Sequence, residues 1–358
     1  STIANTNIVW HAGRLLALEE AHAPFSLDPS TLMPVNGGYE TYGDKLCGPF
    51  TAHPKFDPVT GEMVFFGYSA KGRSTKEVSI QVVDKTGSVT RGEILDGPYP
   101  AMIHDFAVTR NWIVVPIFPL TSSIERVMTG KPYFAWEPDK GTHIAFIPRN
   151  GTVADVKWVS APASYVFHPM NHFETEDGKV VVDVMKYDEA PLFPRIDGTP
   201  TSNAPARLFR WTFDLSGKAN TFKEEQLDDR GGEFPRFDER FCMSDYRHGW
   251  IVSGDVIDSA SGRPGRDGLT HYDLKSGKST SYNAGKDDRF GEPIFVPRSE
   301  TAAEGDGWLL SVLYRGEERR SDLAIFEATD LGRGPIALAH LSSRVPAGFH
   351  GNWRPGPL

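Results

Sequence analysis

Cysteine is scarce: Cys47 and Cys242 are the only two in 358 residues. A disulfide framework is therefore excluded. One bridge could form, and a reducing cytoplasm is the simpler setting. Long apolar runs are also missing. The most apolar patch, WIVVPIFPL at Trp112–Leu120, is broken by Pro116 and falls short of the roughly 18–20 residues that span a bilayer. There is no excess of positive charge. Lys and Arg number 38 against 47 Asp and Glu, a formal net charge of -9, so nothing invites nucleic acid or an anionic membrane. The opening residues STIANTNIVW do not read as a secretory leader. Helical periodicity is hard to find, which argues against a helix bundle.

What the chain has in quantity is turn chemistry: 35 Gly and 27 Pro among short β-rich runs. FDPVTGEMVFFGY turns at Asp57–Gly61, IQVVDKTGSVT at Asp84–Gly87, RWTFDLSGKANTF at Asp214–Gly217 and THYDLKSGKSTSY at Asp273–Gly277. In each, Asp can accept local backbone N–H bonds, and Gly can take a positive φ without steric cost. Each unit reads as a hairpin. Similar hairpins recurring along a chain too long for one β-sandwich point to radial repetition, an all-β propeller. No linker divides the sequence, so residues 1–358 are read as one domain. The least β-like stretch, roughly Pro119–Lys140, is expected to hold a short helix and a loop capping one face.

Four of the 11 histidines sit in similar local surroundings, namely Thr51-Ala-His53-Pro, Met102-Ile-His104-Asp, Val166-Phe-His168-Pro and Gly348-Phe-His350-Gly. Each follows a small or apolar residue and precedes one that tends to end a strand. The first two intervals, about 50 and about 60 residues, are near one propeller blade each. Inner strands of different blades converge on the propeller axis, where four imidazoles would make a metal site. The blander reading also stands, since a lone buried histidine is more often a hydrogen-bonded core residue than a ligand.

The segments FTAHPKFDPVTGEM, MIHDFAVTRNWIVVPIFP, FHPMNHFE, EFPRFDERF, GEPIFVPR and GFHGNW resemble the carotenoid cleavage oxygenases, in that family's order, over nearly the whole chain. AVTRNW, WEPDKG and EGDGWLLSV are most similar to the bacterial lignostilbene dioxygenase and isoeugenol monooxygenase branch. The resemblance implies a seven-bladed β-propeller whose N-terminal blade segment is absent from this sequence. It implies one Fe(II) per chain on His53, His104, His168 and His350. It also implies three glutamates behind the imidazoles: Glu20, Glu233 and Glu292. His172, also in FHPMNHFE, falls at a variable position and is read as a neighbour or a packed residue. The implied reaction is cleavage of an electron-rich C=C bond of a stilbene or phenylpropanoid by O₂ into two carbonyls. No acid, base or nucleophile is nominated beyond the iron centre.

One departure bears on substrate. The lignostilbene enzymes carry a lysine just before the first glutamate, where this sequence has Glu19. A carboxylate there would repel a phenolate, which shifts the expectation toward other alkenes. Glu19, Phe118, Phe193 and Phe349 are the candidate substrate contacts. The partners expected are O₂ and an apolar aromatic or polyene molecule, and a homodimer is compatible with the sequence. The alternatives are an oxygenase acting on carotenoids or apocarotenoids, and a non-catalytic propeller serving as a binding module.

Overall fold

A computed structural model describes residues 3–217, 221–254 and 265–356. Six antiparallel sheets of four or five strands follow one another along the chain. They form blade 1 (residues 7–39), blade 2 (55–96), blade 3 (107–161), blade 4 (165–226), blade 5 (232–283) and blade 6 (289–340). The all-β propeller architecture is as expected, but the count differs: six blades among the described residues, not seven. Every described strand between residues 7 and 340 is already committed to one of these sheets or to a small ribbon, so none is left for a seventh.

The blades are meanders because the expected turns form. Asp57 Oδ1 accepts the N–H groups of Val59 and Thr60, and Asp84 Oδ1 accepts those of Thr86 and Ser88. Asp214 Oδ1 accepts the N–H of Ser216, and the carbonyl of Asp273 accepts the Gly277 N–H at 2.9 Å. Gly277 has φ +68°, where a Cβ would strain the turn. The stretch near Pro119–Lys140 contains the expected short helix, Ile124–Met128, capped by the Ser123 hydroxyl. It is more than a loop, however. Leu120–Ser122 pairs with Phe134–Trp136 as a two-stranded ribbon inserted into blade 3.

The core lies between blades. Met63, Phe65 and Phe50 of blade 2 and its approach pack with Val9 and Leu16 of blade 1. Four further apolar clusters fill the gaps from blade 2 through to blade 6. Middle strands such as Met63–Gly67 are buried along their whole length because both faces meet a neighbouring blade. Burying a side chain such as Phe65 or Phe66 contributes roughly 1.5–3 kcal/mol. Between blade 6 and blade 1 a different device operates. The chain after blade 6 returns to the first strand: His350 N–H donates to the Thr6 carbonyl at 3.1 Å. The Asn352 amide reaches Asn7 and Ile8, and Arg354 stacks over Trp10.

Candidate metal centre

Each propeller inner edge delivers one part of a common site. His53 stands two residues before blade 2, and His104 three before blade 3. His168 lies on the inner strand Tyr165–Glu174 of blade 4, where the pairing register shifts on either side of Pro169. Proline cannot donate to the ladder, and such a bulge turns the adjacent side chain toward the axis. His350 comes from the segment returning to blade 1. One nitrogen from each of the four rings falls within 4.8 Å of all the others.

Glutamates stand behind three of the rings. His168 Nδ1 is 2.6 Å from Glu233 Oε2, His350 Nδ1 is 2.9 Å from Glu292 Oε1, and His104 Nδ1 contacts Glu20. The carboxylates are themselves held. The Tyr68 hydroxyl donates to Glu20, and the Phe234 N–H donates to Glu233 from a backbone at φ +54°. Arg236 and the Gly351 N–H bind Glu292. Glu292 sits where the inner edge of blade 6 is broken between Arg289–Phe290 and Ile294–Pro297.

These bonds fix the tautomers, and the tautomers are informative. A neutral imidazole that donates Nδ1–H to a carboxylate leaves Nε2 a bare acceptor. The Nε2 atoms of His104 and His168 face each other at 3.2 Å, and His53 Nε2 is 3.1 Å from that of His104. The lone pairs of His104 and His168, whose rings are turned by their glutamates, repel unless a cation lies between them, so the donor set fits a metal ion. Burial, reinforced by the neighbouring imidazoles, holds His53 and His168 well below the ordinary imidazole value, in the neutral form that a ligand needs. At His104 burial acts in the same direction, but the Glu20 carboxylate outweighs it and raises the value. Burial pushes the Glu233 carboxyl up to about 7. At Glu292 burial is outweighed by Arg236 and His350, and the value falls below the usual carboxylate range.

A cavity of about 220 Å³ opens on three of these rings. His104, His168 and His350 form one wall, with Phe167, Tyr187 and Phe234 beside them.

A family model described as Retinal pigment epithelial membrane protein matches residues 1–355. The chain belongs to the carotenoid cleavage oxygenase family. Isoeugenol monooxygenase of Pseudomonas nitroreducens is 38% identical, over 99% of this chain and 76% of that protein. The crystal structure of Pseudomonas brassicacearum lignostilbene dioxygenase superposes with a TM-score of 0.93 at 37% identity, covering 99% of this chain and 76% of that one. A cobalt-substituted apocarotenoid oxygenase from Synechocystis gives a TM-score of 0.83 at 30% identity, covering 98% of this chain and 74% of that one. Relatives at 36–38% identity are named as a monooxygenase, a carotenoid cleavage oxygenase and a lignostilbene dioxygenase, and this chain is an enzyme of that C=C-cleaving kind.

Against that family the expected substrate contacts divide. Phe349 lines the cavity. Phe118 does not. It is 2% exposed and packs on Tyr165 and Trp211 in the core between blades 3 and 4. Phe193 packs edge-on against Phe134 of the ribbon, while its neighbours Pro191 and Leu192 reach the cavity. Glu19 is paired with His22 at 2.6 Å and is not among the cavity-lining residues. His172 is buried beside blade 3, its Nδ1 accepting the Val108 N–H at 3.3 Å, and it is outside the four-ring cluster. Sequence reasoning missed Asp105, which binds Lys55 at 2.7 Å and stands 3.7 Å from His53 Nδ1. Its signal was its place beside His104 in MIHDF. It also missed Arg236, whose signal was the arginine in EFPRF. Cys47 and Cys242 are both free. No helix among the described residues is long and apolar enough to cross a membrane.

Proposed function

We propose that this chain is an Fe(II)-dependent oxygenase that cleaves the C=C bond of a stilbene or phenylpropanoid with O₂. One O₂ adds across one alkene, and both atoms leave as the oxygens of two carbonyl products, so no further reductant is required. The observation that carries this reading is the convergence of bare imidazole lone pairs at the end of an aromatic-lined cavity. Imidazole accepts iron, zinc, copper and nickel alike. Iron(II) supplies what zinc cannot, an electron for O₂. His53, His104, His168 and His350 would hold the ion, and Glu20, Glu233 and Glu292 would orient three of them while offsetting its charge.

The remaining work of the protein is positioning. Phe167, Phe234 and Tyr187 give the cavity flat apolar walls against which an aryl ring can lie with its alkene at the imidazoles. These walls also exclude water from the reacting carbons. An apocarotenoid is the second reading, favoured by the likeness to the Synechocystis enzyme.

The test is metal content of protein prepared without oxygen, followed by O₂ uptake with stilbenes, isoeugenol-like alkenes and apocarotenals. About one iron per chain, with uptake on an aryl alkene, is the expected result. Uptake on apocarotenals alone would replace the substrate. No iron after reconstitution would overturn the enzymatic reading and leave a propeller that only binds.

A further inference from the structure

A second, smaller cavity of about 20 Å³ lies between blades 3 and 4. It has room for one molecule of about the size of water. Val114, Pro116 and Phe118 wall it on the side of blade 3, and Val182, Val184 and Trp211 on the side of blade 4. Residues two apart on a strand share a face, so Val114 with Pro116 and Val182 with Val184 are the facing surfaces of two neighbouring sheets. The valines are stiff at χ1 and too short to meet across the gap. The Asp105 carboxylate at its edge is held by Lys55, and no polar atom of the described residues faces the space.

This space reaches the metal centre from behind. Phe167 and His168 line the large cavity, whereas Val166 and Pro169, their neighbours on the same strand, line the small one. His104 lines the large cavity, and Asp105, the next residue, lines the small one. At both histidines the chain passes from one cavity to the other in a single step of about 3.8 Å between Cα atoms. Among the described residues none lines both. In the proposed reaction an aryl alkene occupies the large cavity, and its bulk lies across that approach to the rings. A water molecule in the small cavity would find no hydrogen-bond partner, whereas a small apolar gas gives up none.

We propose that the small cavity is a binding site for O₂, from which the gas reaches the centre past His104 and His168 while the alkene fills the large cavity. This deepens the oxygenase reading and rests on it for the need of O₂. The affinity of the cavity for an apolar gas does not rest on it.

The test starts with crystals of the metal-loaded 358-residue protein pressurised with krypton, an apolar atom close to O₂ in size. One krypton site among Val114, Val182 and Val184 is expected, and its absence would overturn the proposal. Val114→Ile and Val184→Ile then fill the cavity from opposite walls by one methylene each. Each should lose the krypton and lower kcat/KM for O₂ by about fivefold, in proportion to the lost occupancy. Metal content and the KM for the alkene at saturating O₂ should not change. An unaltered O₂ dependence in a variant that has lost the krypton would overturn the proposal, and so would krypton that survives both substitutions. Should a filled variant not fold, the krypton result on the unaltered protein decides alone. Absence of O₂ uptake with every alkene, with krypton in place, would count against the oxygenase reading and not against the gas site.

Discussion

Glu233 Oε2 meets His168 Nδ1 at 2.6 Å, although the two residues come from the inner strands of different blades. The carboxylate selects the tautomer that turns Nε2 toward the other rings. Replacing Glu233 with Gln keeps the shape but removes the charge. The metal affinity of Glu233→Gln should fall by about 10–100-fold, read by anaerobic competition titration against a chelator. Unchanged affinity would mean that Glu233 does not orient the ring.

His168 and His172 are four residues apart on one strand, and the structure separates their roles. His168→Ala should abolish stoichiometric metal binding. His172→Gln, which keeps an acceptor for the Val108 N–H, should bind metal as the unaltered chain does. Equal losses in both variants would place the two rings in one site.

His172 also predicts a pH dependence. Burial pushes its pKa down from 6.5 to about 3. The folded ring stays neutral until about pH 3, whereas the unfolded ring takes up a proton below pH 6.5. Stability is therefore complete above pH 6.5 and declines as the pH falls toward 3. At pH 5 this one group should cost about 2 kcal/mol. Denaturant unfolding of His172→Gln at about pH 7.5 and about pH 5 should show a smaller loss than the parent by about that amount. Parallel losses would exclude the buried neutral ring as a source of acid sensitivity.

Arg236 joins blade 5 to the returning C-terminal segment: it donates to Glu292, to the Gly351 carbonyl and to Asn352. Arg236→Ala would leave Glu292 buried beside His350 without its cation. A cost of about 3–5 kcal/mol follows for breaking a buried pair on one side, together with weakened metal binding, since His350 loses its anchorage. Thermal melts with and without metal would check both. A loss below about 1 kcal/mol would show that the pair behaves like a surface ion pair.

Phe118 gives a control for the cavity. Phe118→Ala should destabilise the protein by about 3–5 kcal/mol and leave the anaerobic affinity for a stilbene unchanged. Weaker ligand binding at unchanged stability would return Phe118 to the substrate site.

The sequence disclosed the hairpins and the chemistry of the centre more fully than its walls. Asp57, Asp84 and Asp273 announced their turns because a turn is decided within a few neighbouring residues. The four histidines were legible because each sits in a short distinctive run. The count of blades was carried by family resemblance and not by this chain's own strands, and it came out one too high. Phe118 and Phe193 misled because a sequence does not show which wall of an inter-blade layer an aromatic side chain faces. Asp105 and Arg236 act through partners tens of residues away, contacts that only the folded propeller creates.

The segment that returns to blade 1 has a consequence for how the protein is made. His350 is the last of the four rings to leave the ribosome, and it reaches the others only when its own segment has docked on Thr6 and Asn7. A nascent chain with blades 1 to 5 already assembled therefore offers at most three imidazoles. Coordination by all four rings waits for that docking, and an ion held there would clasp the returning segment to blades 2 to 4. Its binding free energy would add to the stability of the docked arrangement, so metal and C-terminal docking would be lost together.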